Sequence, residues 1–366
     1  MWLIIFAAAI LAGIAALLYM AGKIRKSGIF AKAGKTAERI MSVAGALAAV
    51  VALIVIFDVT NAIVIVIHLA VFMLITDLLA FIYRRISKKE FNGRYADIAA
   101  LSFGVIYLII GWWLMHGLWE TDYDLGTDKQ IGHVRVAHIA DSHIGCGFSG
   151  KGFGKRLDRI EEAEPDVLVI TGDFVDDSTS KADMIDACAA LGNFKSKYGV
   201  FFCFGNHDRG YSKSARGYDG DDLIAELTKN GVTVLEDESV LVDGRFYITG
   251  RRDSGYMGSD RLDISELVAD LDKDKYDIVL DHQPTDYDAE AAADVDLVLS
   301  GHTHGGQLFP LEYIQPLVSS NDRVRGMEVR NGTVFIVTDG ISDWAVKFKT
   351  GCRSEFNIID IYQERK

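Results

Sequence analysis

Four apolar stretches, Trp2 to Ala21, Ile40 to Phe57, Ala62 to Tyr83 and Ile98 to Trp119, leave the first third of this chain few ways to fold. Each is close to the ~20 residues a helix needs to cross the hydrocarbon core of a bilayer. A buried helix of a water-soluble domain would carry a polar stripe, and these carry almost none, so a four-helix membrane domain is expected over residues 1–120. No basic residues precede the first stretch and several follow it, which reads as an uncleaved helix rather than a signal peptide. Asp58 to Asn61 is a tight polar turn between the second and third stretches.

The loops set an expected orientation. Lys23, Arg25, Lys26, Lys32, Lys35 and Arg39 fill the first connection, and Arg84, Arg85, Lys88, Lys89 and Arg94 the third, while the second has no positive charge. By the positive-inside rule the first and third loops are cytoplasmic, so both chain ends and everything after residue 120 lie outside. Trp112, Trp113 and Trp119 fit an outer aromatic belt. Asp77, His68 and His116 are ionisable groups in or near the apolar stretches, and an anchoring or packing role is expected for them rather than transport.

Beyond residue 120 the chain changes character. Residues 1–120 carry a net charge of +5 and the remainder −18. Such acidity argues against nucleic-acid binding, which rests on Lys and Arg releasing counterions from phosphates. It leaves a phosphorylated substrate open, because bound cations dominate a local field. Cys146, Cys188, Cys203 and Cys352 have no metal-finger spacing and read as small buried or half-buried thiols. After a linker at 121–132, apolar runs at Val134–Ala140, Val167–Thr171, Val200–Phe204, Phe246–Thr249, Ile278–Leu280, Leu297–Leu299, Val334–Val337 and Phe356–Ile361 read as strands. Lys155–Ala163 and Lys181–Phe194 read as helices between them, which makes residues 133–366 an α/β domain.

Polar clusters fall at the carboxyl ends of five of these strands: Asp141-Ser142-His143, Gly172-Asp173, Gly205-Asn206-His207-Asp208, His282 and Gly301-His302-Thr303-His304. That is where α/β folds build their sites. In locally extended backbone Asp141 pairs with His143, and His302 with His304, on one side of the chain. Carboxylates, imidazoles and one amide oxygen, without a thiolate, suit Mn²⁺, Fe or Zn²⁺. Seven donors exceed one tetrahedral site but suit two ions sharing a bridging carboxylate, the arrangement used for in-line displacement at phosphorus.

In this order the clusters resemble the calcineurin-like metallophosphoesterases, over essentially Val134 to the C-terminus. Gly301 to Gln307, with Pro310 behind it, is similar to the membrane-associated bacterial branch, which includes phosphodiesterases and UDP-diacylglucosamine hydrolases. The resemblance implies a four-layer αββα sandwich. It implies one metal held by Asp141, His143, Asp173 and His304 and a second by Asp173, Asn206, His282 and His302, with Asp173 bridging. It further implies a hydroxide between the metals as nucleophile and His207 as the histidine that stabilises the transition state or protonates the leaving oxygen. Asp208 is expected to orient that imidazole.

Lys155, Arg156, Arg209 and Arg216 are the candidate substrate contacts, the first two closing a glycine-rich run from Gly145 to Gly154 and the others flanking Tyr211 and Lys213. His133 and His138 have no partner at motif spacing and read as structural. The expected function is hydrolysis of a phosphodiester or phosphoanhydride, in a small molecule or a lipid, at the membrane surface. A ligand-sensing pseudoenzyme and an accessory domain of a transporter are the alternatives; the intact ligand set opposes the first, and the lack of charged or broken membrane helices the second.

Overall fold

Residues 2–89, 92–210, 216–255 and 261–364 are described by a computed structural model. The chain divides into two compact units, Met1–Gly111 and Trp112–Lys366.

The first unit is helical. Helices α1 (Trp2–Lys26), α2 (Lys35–Ile56), α3 (Val59–Ser87) and α4 (Gly93–His116) are each long and apolar enough to cross a membrane. Small residues let them approach, and Ala16 of α1 packs with Val66 and Ala70 of α3. Asp58 caps α3 with both carboxylate oxygens, one on the Asn61 N–H and one on the Asn61 side-chain amide, each at 2.8 Å. Asp77 is neutralised in place: Lys23 pairs with it and, at 2.6 Å, with Asp97, while the Tyr19 hydroxyl donates to it at 2.7 Å. His68 contacts its own helix through Nδ1, 2.7 Å from the Val64 carbonyl. Asp77 thus links three helices, and the His68 ring lies 5.9 Å from the Tyr107 ring of α4.

In the second unit alternation replaces continuous hydrophobicity. Strands β1 (Trp119–Thr127), β2 (His133–Ile139), β3 (Val167–Thr171), β4 (Val200–Cys203), β5 (Thr233–Leu235) and β12 (Glu355–Gln363) form one sheet in the order β1-β12-β2-β3-β4-β5. Strands β6 (Glu238–Val242), β7 (Phe246–Gly250), β8 (Tyr276–Leu280), β9 (Leu297–Ser300), β10 (Gly326–Arg330) and β11 (Thr333–Val337) form the other, in the order β10-β11-β9-β8-β7-β6. The strands that carry the polar clusters run parallel within each sheet. Between the sheets Val134, Val136, Val167, Val169, Ile278, Leu280, Leu297 and Leu299 form one core, each side chain contributing about 1.5–3 kcal/mol of transfer free energy.

Helices α5 (Gly150–Glu161), α6 (Lys181–Gly192) and α7 (Gly220–Lys229) cover the outer face of the first sheet through Phe153, Leu157, Met184 and Leu223. Helices α8 (Ile264–Leu267) and α9 (Tyr287–Ala292) cover the outer face of the second through Ile264 and Tyr287. The result is the αββα layering that the family resemblance implied.

Several boundaries move: α1 runs on to Lys26, α2 begins at Lys35, α3 spans Val59–Ser87 so that only Asp58 of the expected turn stays outside a helix, and α4 begins at Gly93. The fourth helix ends at His116, not Trp119, and residues 121–132 are not a linker: Trp119–Thr127 is an edge strand paired in parallel with β12. In it Trp119, Thr121, Tyr123 and Leu125 turn inward and Glu120, Asp122 and Asp124 outward, a period of two masked by the acidic residues. The second unit also holds the last turn of α4: Ser354 donates its N–H to the Leu114 carbonyl at 3.0 Å and its hydroxyl to the Met115 carbonyl at 2.7 Å. Strands β5, β6 and β10 are additions to the expected set. All four cysteines are free thiols, Cys146 half-buried and the others buried.

Candidate metal centre

The polar clusters meet because the parallel strands of both sheets end on the same side. Asp141 follows β2, Asp173 follows β3 and Asn206 follows β4, while His282 and His302 come from β8 and β9 of the opposite sheet. A direct bond ties the sheets here, His282 Nδ1 lying 2.8 Å from the Thr171 carbonyl.

One ligand atom each from Asp141, His143, Asp173 and His304 lies within 4.8 Å of the other three, and the same holds for Asp173, His282 and His302. Asp173 belongs to both sets. Asn206 offers a buried Oδ1 without a hydrogen-bond partner, and His143 Nε2, His282 Nε2 and Asp173 Oδ2 are buried with only one another nearby, Asp173 Oδ2 lying 3.2 Å from His282 Nε2 and 3.5 Å from His143 Nε2. Buried polar atoms are almost always satisfied, so this concentration of orphans marks atoms reserved for a ligand. The donors fit two divalent cations.

The backbone is bent to achieve this. The expectation of extended Asp-x-His and His-x-His segments is replaced by left-handed turns: φ is 55° at Asp141, 36° at His143, 50° at Asp173, 71° at His302 and 51° at His304. Non-glycine residues avoid this region at a cost of order 1 kcal/mol or more each, and such strain persists where a site over-determines it. Close packing demands glycine beside them: a Cβ on Gly205 would lie 2.3 Å from Asp173 Oδ1.

Further groups hold the imidazoles. Asp176 Oδ2 is 3.3 Å from His143 Nδ1 and Asp343 Oδ1 is 3.2 Å from His304 Nδ1, which leaves Nε2 of each ring for the ligand. Both carboxylates are buried. Sequence reading missed them: Asp176 is one of two adjacent aspartates with no motif, and Asp343 is 39 residues beyond His304.

Burial and neighbouring charge compete throughout. Burial pushes Asp141 up to about 6 against the pull of His282 and His143. Burial acts to raise Asp173 as well, but His282 and His143 outweigh it and hold this carboxylate well below its usual range. For His143 burial acts downward, and Asp176 with Asp173 and Asp141 overcomes it to bring the imidazole up to about 9. A divalent cation held here would compete with the proton on His143.

His207 stands at the rim of this cluster, its ring centroid 5.2 Å from that of His143 and 5.4 Å from the Trp344 ring. The His207 backbone N–H donates to Asp173 Oδ1 at 2.9 Å. Asp208 does not serve the imidazole in the way expected. Its two oxygens accept four backbone N–H groups, from Asp173, Phe174, Val175 and Gly205, at 2.7–3.0 Å. Four donors saturate the carboxylate and make it a clamp on the loops bearing Asp173 and Asn206.

The cationic candidates have other partners in the fold or lie exposed. The helix beside the glycine-rich run begins at Gly150, so Lys155 and Arg156 lie in its second turn, Lys155 exposed. Arg156 donates to the His116 and Gly117 carbonyls and stacks on Phe148. Arg209 pairs with Glu236 and Asp221 and lies over Phe204. Arg216 is buried and donates to the Tyr218 and Asp208 carbonyls. All three arginines are used by the fold. Tyr211 and Lys213 lie outside the described residues. His138 sits 2.8 Å from the Thr171 hydroxyl and His133 2.8 Å from Asp360, structural as expected.

Comparison with known proteins agrees with this geometry. The model of the calcineurin-like phosphoesterase family matches residues 134–306. An uncharacterised metallophosphoesterase of Aquifex aeolicus is 34% identical over 60% of this chain and 82% of its own length. One of Campylobacter jejuni is 28% identical over 62% of this chain and 59% of its own. A transmembrane protein with a metallophosphoesterase domain from Bos taurus is 30% identical over 61% of this chain and 51% of its own. The chain spans about six-tenths of the length of several of the curated relatives it matches.

Proposed function

The chain belongs to the calcineurin-like metallophosphoesterases, and on that premise we propose that it hydrolyses a phosphodiester or phosphoanhydride at a membrane surface. The observation that carries this reading is the sharing of Asp173 by the two ligand groups. Asp141, His143, Asp173 and His304 would hold one cation, and Asp173, Asn206, His282 and His302 the other. Two such cations supply Lewis acidity and an activated water for in-line displacement at phosphorus. Mn²⁺ is the first choice for imidazole, carboxylate and amide donors, with Fe and Zn²⁺ as the others. His207, beside the cluster but absent from both ligand groups, is the proposed group that steadies the developing charge or protonates the leaving oxygen.

Four helices able to span a bilayer support a membrane location. The basic first and third connections support an extracytoplasmic catalytic unit, and a reporter fused after Lys366 that works only in the cytoplasm would refute that orientation. For the chemistry, purified protein in detergent is loaded with Mn²⁺ and given a chromogenic diester and a monoester. Turnover that requires metal and is lost in Asp173→Asn and His207→Ala is the expected result. Undiminished turnover in Asp173→Asn would exclude the shared-carboxylate centre.

A further inference from the structure

Helix α10 (Leu311–Val318) is built inside out. A helix on a water-soluble surface buries its apolar stripe and exposes its polar one. Here no residue of the helix is buried, and Leu311, Tyr313, Ile314, Leu317 and Val318 face outward together with the preceding Phe309. Leu317 is 82% exposed and Tyr313 65%. The polar residues Glu312 and Gln315, three apart and so on one face, are half-buried, with Glu312 reaching within 4.0 Å of Arg325. Glu312 is the only charged residue between Phe309 and Ser320.

The helix is also joined closely to the metal centre. It begins seven residues after His304, and its first turn rests on Gly306, where a Cβ would meet the Glu312 backbone at 2.6 Å. Gln307, between them, donates to Asp343, the carboxylate beside His304.

We propose that α10 and Phe309 lie in the headgroup–acyl boundary of a lipid bilayer, where they bring the phosphoester of a membrane-resident lipid to the metal centre. The part about the substrate rests on the hydrolase reading above. Eight residues are too few to span a bilayer but suffice to lie along its surface with one face immersed. Tyr313 is an aromatic residue of the kind that settles at that depth, and Phe309 one of the kind that interfacial helices immerse. A bilayer is favoured over a second copy of the chain because the same polypeptide carries four helices able to span one. Exposed apolar patches of this sort, left in water, invite association.

The test uses the full chain in phosphatidylcholine liposomes, with a nitroxide label on Leu317→Cys in a Cys146→Ser background, the other cysteines being buried. A control label replaces exposed Lys155 on α5. The label at 317 is expected to collide several-fold more with oxygen, relative to a water-soluble nickel chelate, than the control does. Equal access to the chelate at both positions overturns the proposal. Dipolar broadening between labels at 317 also overturns it, in favour of a second copy.

A second arm compares two esters. With Leu317→Glu and Tyr313→Glu combined, cleavage of a lipid-borne phosphodiester should fall at least about tenfold, while a soluble chromogenic diester is cleaved as before. Equal rates on the lipid ester in variant and wild type overturn the lipid-delivery role. A wild type inert on both esters sinks the hydrolase reading and the lipid substrate with it, and the spin label alone then decides whether α10 is an anchor.

Discussion

The Asp208 carboxylate accepts the backbone N–H of Asp173 at 2.8 Å, and three further amides complete its shell. The residue that bridges the two ligand groups is thus fixed by a residue 35 positions away that reaches the site through the main chain. Removing the carboxylate strands four N–H donors, all but one of them on the turn that carries Asp173. Asp208→Ala should destabilise the protein by roughly 3–5 kcal/mol, several unsatisfied buried donors at 1–3 kcal/mol each after partial relaxation. Thermal unfolding in detergent checks this against His207→Ala, which should melt close to wild type.

Asp176 and Asp343 should matter to metal binding without being ligands. Each stands at Nδ1 of an imidazole whose Nε2 faces the metal centre, and so selects tautomer and ring angle. Asp176→Asn and Asp343→Asn should each weaken binding of the cation at the first site by about 10–100-fold. Calorimetric titration with Mn²⁺ reads this directly, and unchanged affinity in both variants would count against the positioning role.

Arg251 anchors the loop behind His282. It is almost fully buried, donates to Asp281 at 3.0 Å and Glu290 at 2.9 Å through Nη1, and to Asp286 at 3.0 Å through Nη2. Breaking a buried ion network from one side strands its partners, so Arg251→Met should cost about 3–5 kcal/mol in stability. A denaturant or thermal midpoint within error of wild type would contradict that assignment.

Asp277 provides a pH dependence remote from the metal centre. Burial pushes its carboxyl up to about 6, although the Thr249 hydroxyl donates to it at 2.8 Å and favours the charged form. The folded state therefore holds a proton that the unfolded chain, with a carboxyl near 3.9, releases earlier. The carboxyl's contribution is favourable at low pH and declines as pH rises from about 4 to about 6, becoming a constant penalty above that. Asp277→Asn should accordingly melt above wild type at pH 7, by an amount on the order of 1–3 kcal/mol, and lose that advantage towards pH 4. A pH-independent difference between the two would show that the shift is absent.

Much of the centre was legible in the sequence because its ligands come from short motifs at strand ends. Asp141, His143, Asp173, His282, His302 and His304 were all named there as candidates, and folding brings them into two groups that share Asp173. What misled was local backbone. Residues two apart share a side only in extended chain, and the left-handed φ values at Asp141, His143, His302 and His304 converge the side chains by another route. Asp208 misled for a related reason. Its neighbour in sequence is His207, yet its partners are amides of a turn 33 to 35 residues earlier.

The sequence by itself determined the four apolar helices, the strand–helix alternation and which donor residues gather at strand ends, because hydrophobic periodicity and donor chemistry are local properties of a chain. Only tertiary structure decided that Trp119–Thr127 is an edge strand, that Asp176 and Asp343 back the ligand histidines, and that Arg156, Arg209 and Arg216 are consumed by the fold. It also decided that α10 turns its polar face inward. These depend on which distant groups a side chain meets, and spacing along the chain carries no record of that.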